Sequence, residues 1–210
     1  MTSLQDEISF TPPIHRVVVM VGTDHHPFDR LINWVNDWLY AHPDQTERFF
    51  VQWGAASRRP GCPGGQFLEV DELATLLDQA DIVICHGGPG AISDAWARKM
   101  VPIVVPRSAK LGEHVDDHQI DFCDEIAALG RIELAYTFPE FSSLLAKAES
   151  DLSRFRVLNS GSGADQAVAH LGGLIEELVS RPRRLFPIGE GRWLRYCRRI
   201  RRSPHITTGS

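Results

Sequence analysis

Apolar residues along this chain alternate between short solid runs and runs spaced at helical period. Residues 16–22 (RVVVMVG) form a β-branched run closed by glycine, which predicts a buried strand. After a loop at 23–27, apolar residues at 28, 31, 32, 35, 38 and 39 share one face and predict a helix over 28–40. Further strands are expected at 49–53, 67–70, 81–86, 102–106 and 132–136. Between them, helices are expected over 71–80 with Asp71 as N-cap, from 91 to 99, over 116–129 with Gly130 closing it, and over 139–149. A last helix is expected over 164–179, after a Gly/Ser break at 160–163. The turn formers of 57–65 (SRRPGCPGG) predict a loop.

Strand and helix alternate throughout, which predicts an α/β fold. The expected form is a Rossmann-like, doubly wound parallel sheet with helices on both faces. The chain shows no internal repeat. Its 210 residues, 43% hydrophobic, suit one such domain at 14–180 and an appended tail at 181–210.

Charge sharpens that division. The net charge is -5, but nine arginines and one acid, Glu190, lie beyond residue 180. An acidic body therefore carries a basic tail, a pattern that points to an anionic partner for the tail. Residues 193–202 (WLRYCRRIRR) would present an amphipathic basic face if helical, suited to an anionic membrane surface over 181–202. A tail docked on the body or left unstructured is the alternative. An acidic body without a nucleic-acid motif argues against nucleic acid as partner.

The four cysteines (62, 85, 123, 197) form no CxxC pair and fall partly in predicted core, so reduced thiols and a cytoplasmic setting are expected. Residues 1–13 lack a basic start and an apolar run, so no signal peptide is expected, and no stretch is long enough to span a membrane.

In parallel sheets of this kind, ligands bind at the carboxyl ends of the strands. Two loops stand out there. In the second, a strand ends at His86, and Gly87, Gly88 and Gly90 lead through Ala91 into a helix that carries Asp94. Free N–H groups at such a helix start attract phosphate. His86 can add a donor, and Asp94 can accept from ribose hydroxyls. A tight turn with a capping histidine is the plain alternative. The run is neither GxGxxG nor a Walker loop, which argues against a dinucleotide fingerprint and an ATPase. In the first loop, Gly22 and Thr23 could donate to the same phosphates, although a ligand-free Gly-Thr turn is equally ordinary. His114 and His118 have i, i+4 spacing, but the ligand set is incomplete for a metal. Polar contacts to a sugar from Asp117, His118 and Gln119 fit that segment better.

These residues resemble a known family. The matching blocks are 21–23 (VGT), 28–32 (FDRLI), 80–84 (ADIVI), 86–90 (HGGPG), 102–107 (PIVVPR), 112–119 (GEHVDDHQ) and 122–123 (FC). They follow, in order over roughly 16–150, the C-terminal, donor-binding half of family 28 glycosyltransferases, with short exopolysaccharide proteins of the PssE type as nearest look-alikes. The resemblance implies half of a GT-B fold, with Gly22, Thr23, His86 and 88–91 around the diphosphate of a UDP-sugar. It implies Asp94 on the ribose and Asp117, His118 and Gln119 towards the sugar, with Glu113 and His114 also lining the cleft. Relatives usually carry Ser at position 91 and often Glu at 94.

A complete GT-B enzyme has two such domains, and this chain has room for one. The resemblance therefore implies a membrane-anchored partner that binds the acceptor, a lipid-linked saccharide, at the inner face of the plasma membrane. Inverting transfer needs a general base, for which His25, His26 or a residue of the partner is the candidate. UDP-sugar enters as donor substrate. No cofactor and no metal are expected.

Overall fold

A computed structural model describes residues 16–156 of the chain, within one compact unit. The expected helix over 164–179, the domain limit at 180 and the basic tail fall outside the described residues.

Six strands form one sheet: β1 (Val17–Met20), β2 (Phe49–Gln52), β3 (Gly64–Gly65), β4 (Ile82–Cys85), β5 (Ile103–Val104) and β6 (Glu133–Leu134). Their spatial order is β3-β2-β1-β4-β5-β6, and each adjacent pair is parallel. Five α-helices join them: α1 (Asp29–Ala41), α2 (Val70–Asp78), α3 (Pro89–Ala97), α4 (His118–Ala128) and α5 (Phe138–Ser150). This is the doubly wound parallel α/β sheet that the alternation predicts.

The solid apolar runs become the central strands because both faces of the sheet are covered. Val17 lies between Phe49 of β2 and Ile82 of β4, and Val17 through Met20 are all buried. Each such side chain contributes about 1.5–3 kcal/mol on burial. On one face α1 buries Leu31, Ile32, Val35, Trp38 and Leu39 in the same cluster as Phe141, Leu144 and Leu145 of α5. Trp34 and Phe141 join the two helices, with ring centroids 5.8 Å apart.

The edges depart from expectation. No strand forms at 67–70. The edge strand β3 lies inside the turn-rich stretch, where Val51 pairs with Gly64 and Gln52 with Gly65. The backbones approach so closely there that a Cβ on Gly64 would clash with the Val51 carbonyl. A strand that pairs through backbone alone carries no apolar pattern to betray it. Helix α2 is capped by a reciprocal box between Glu69 and Glu72, with no side-chain cap from Asp71. Helix α4 begins at His118, two residues later than expected.

Candidate functional site

Strands β1 and β4 are neighbours at the centre of the sheet. The chain leaves β1 towards β2 and leaves β4 towards β5, so the loops after β1 and β4 border a crevice at the topological switch point. Both loops singled out in the sequence meet here.

His86 is the joint between them. Its half-buried ring lies between Gly22 of the first loop and Gly88 of the second. A Cβ on Gly22 would come within 2.7 Å of His86 Cε1, and one on Gly88 would clash with Nε2. Gly22 also holds φ at 86°, a region that side chains disfavour. Burial, reinforced by the Arg107 charge and opposed by the Met20 carbonyl, pushes the imidazole down to about 4. His86 is therefore neutral near pH 7, with one N–H to donate. Its buried Nδ1 has no hydrogen-bond partner among the described residues.

Beyond His86, the Gly87 carbonyl accepts the Cys123 thiol at 3.5 Å, tying the loop to α4. Gly88 is the N-cap of α3 and Pro89 its first residue; no side chain caps the helix. Gly90, Ala91 and Asp94 all lie on α3, the first two in its opening turn, with Asp94 half-buried. An uncapped helix start beside a neutral histidine is electropositive and suits a diphosphate.

The first loop is held more tightly than its sequence suggests. Gln52, buried at the end of β2, accepts from the Gly22 N–H at 3.1 Å and donates to the Gly22 carbonyl at 3.0 Å. That N–H is engaged within the protein. Thr23 is exposed. Asp24 accepts from the His26 backbone N–H at 2.7 Å and lies 2.6 Å from His26 Nδ1. Burial raises the Asp24 carboxyl, but the His26 hydrogen bonds and the Arg107 charge outweigh it and hold the group below its ordinary value. The His25 side chain is 79% exposed, and its ring centroid lies 4.0 Å from that of His26 with the planes tilted by 39°.

Arg107, just past β5, is fully buried. It donates to the carbonyls of His26 and Glu113 through Nη1 and to that of Val21 through Nη2, each at 2.8 Å. Its guanidinium also stands 4.7 Å over the Phe28 ring. Arg107 thus fastens the first loop to the segment after β5.

That segment carries the remaining expected contacts. Glu113 is buried, and its carboxylate receives Arg30 Nε and Nη2 at 2.9 and 2.8 Å and the Ser108 N–H at 3.0 Å. A carboxylate so engaged anchors the loop from within. His114 is half-buried beside His26, with ring centroids 6.3 Å apart. Asp117 accepts the Ala109 N–H and Gln119 the Arg107 N–H, while His118 is exposed. His114 precedes α4, so its spacing to His118 is not a helical one.

The structure therefore brings Gly22, His86 and Gly88 together, and His26 with His114. Sequence reasoning missed Arg107 and Gln52 as builders of the site. Their signal is position, each at the carboxyl end of a strand, and not residue type.

Residues 16–141, more than half of the chain, match the glycosyltransferase family 28 C-terminal domain. No curated protein matches the chain significantly. Among solved structures, the glycotransferase of kitacinnamycin is 18% identical over 84% of this chain and 47% of its own, with a TM-score of 0.49. The solution structure of ALG13 is 18% identical over 73% of this chain and 94% of its own, at 0.48. MurG of Acinetobacter baumannii is 17% identical over 74% and 49%, at 0.46. The chain thus spans about half the length of the first and third of these. By its family match, this chain belongs to the glycosyltransferase family 28 C-terminal domain family.

Proposed function

We propose that this chain is the donor-binding subunit of an inverting glycosyltransferase that uses a UDP-sugar. The observation that carries this reading is the placement of His86 between Gly22 and Gly88, beside the uncapped start of α3. Departure of UDP leaves negative charge on its diphosphate. On this reading the helix N–H groups and the neutral His86 N–H would face that charge and lower the barrier without reorganising. Asp94, farther along α3, is suited to the ribose, and Asp117, His118 and Gln119 to the sugar.

The described residues form one domain, and the reading includes a partner that binds a lipid-linked saccharide, as in PssE-type exopolysaccharide or capsule synthesis. A peripheral position at the inner membrane face belongs to the same reading. No helix among the described residues is long and apolar enough to cross a membrane. The base that deprotonates the acceptor is His25, His26 or a residue of the partner. A non-catalytic partner subunit is the second reading. The engagement of the Gly22 N–H by Gln52 favours it, since one expected phosphate donor is lost. A UDP-sugar epimerase-like enzyme would need both lobes in one chain.

Calorimetric titration of the chain with UDP tests the proposal, beside His86→Ala and Asp94→Ala. Saturable binding weakened about tenfold or more by both substitutions is the expected result. Absence of binding, alone and with the co-expressed partner, would favour the non-catalytic reading.

A further inference from the structure

The loop after β1 gathers metal-ligating groups that nucleotide binding does not use. Asp24, His25 and His26 each offer one ligand atom, and these atoms all lie within 4.8 Å of one another. Asp24 Oδ1 is 2.6 Å from His26 Nδ1 and 3.6 Å from His25 Nδ1. From a different segment, His114 Nε2 comes to 3.8 Å from Asp24 Oδ2. One carboxylate and two imidazoles thus converge at the carboxyl end of the central strand, and His114 approaches the other oxygen of that carboxylate.

We propose that Asp24, His25 and His26, with His114 as fourth ligand, bind a divalent first-row transition ion such as zinc. Three imidazoles with one carboxylate form a donor set that such ions prefer over magnesium or calcium. Ligand atoms about 2.0–2.1 Å from a tetrahedral zinc lie roughly 3.3 Å from one another. The 3.6 and 3.8 Å separations are close to that spacing. The shorter Asp24–His26 contact is a hydrogen bond, and it opens to coordination distance as the ion displaces the shared proton.

The framework that holds these groups is built in advance. Arg107 fixes the His26 carbonyl, and Arg30 fixes Glu113, the residue before His114. The Arg107 charge opposes a cation nearby, but three backbone carbonyls share it. An Asp24–His26 turn that merely stiffens the loop accounts for those two residues. It does not account for His25 and His114 converging on the same carboxylate. If the imidazoles are ligands, the base of the transfer reaction falls to the partner.

The test uses the full-length chain, stripped with chelator and free of nucleotide, so its outcome stands apart from the UDP reading. Co²⁺ and Zn²⁺ are titrated separately, followed by visible absorption and calorimetry. The expected result is one ion per chain, cobalt d–d bands that Zn²⁺ abolishes, and proton release on binding. Asp24→Asn, which keeps a hydrogen-bond acceptor in the turn, and His25→Ala each weaken binding about tenfold or more. His42→Ala, at a histidine stacked on Trp38 away from the loop, leaves it unchanged, and circular dichroism checks that every variant is folded. No binding, or binding that neither Asp24→Asn nor His25→Ala weakens, overturns the site. Unaltered affinity in His114→Ala removes the fourth ligand from the assignment.

Discussion

Arg107 Nη2 donates to the Val21 carbonyl at 2.8 Å, across 86 positions of sequence. The bond joins the loops after β1 and β5, whose strands flank β4. One buried cation thereby fixes the β1 loop, one wall of the crevice, to the segment after β5.

Replacing Arg107 by Met should leave the carbonyls of Val21, His26 and Glu113 without that donor. Each buried orphan costs about 1–3 kcal/mol, so a loss of about 3 kcal/mol or more is expected. The unpartnered Nε disappears with the side chain and offsets part of that loss. Urea denaturation of wild type and Arg107→Met measures it. A loss under about 1 kcal/mol would mean that water satisfies these carbonyls.

Gly88→Ala isolates the role of His86. Gly88 has φ of -68° and ψ of 137°, so alanine meets no backbone strain there. The principal new contact is with the His86 ring. The ring must shift, at about 1–3 kcal/mol of stability. UDP affinity is expected to fall about tenfold or more, measured by calorimetry. Unchanged affinity in a folded Gly88→Ala protein would separate His86 from the nucleotide.

His86 also predicts how stability depends on pH. The imidazole stands at about 4 in the folded chain against 6.5 as its ordinary value. Between those values the unfolded chain binds the extra proton, so stability rises with pH. The contribution is fully present above pH 6.5 and is lost as pH falls towards 4. Denaturation at pH 7 and at pH 5 should show a larger drop for wild type than for His86→Gln. Equal drops would place the titration elsewhere.

Much of this arrangement was legible beforehand. The β-branched runs of β1 and β4 declared buried parallel strands because both faces of the sheet are covered. Of the glycines after His86, Gly88 lies against the His86 ring and Gly87 against Cys123. Other features had no sequence signature. Gly64 and Gly65 pair through backbone only, so no side-chain pattern marks β3. Glu113 reads as a polar loop residue until Arg30, 83 positions away, is seen to hold it. Gln52 likewise closes an apolar strand, and its partners, Gly22 of the β1 loop and Gln66, are distant in sequence. Partners distant in sequence decide these roles, and local spacing is silent about them.

The two outermost strands, β3 and β6, are each two residues long. An edge that short offers an incoming strand almost no ladder to extend. Among the described residues, the sheet thus offers little for strand addition at either margin, which disfavours edge-to-edge polymerisation.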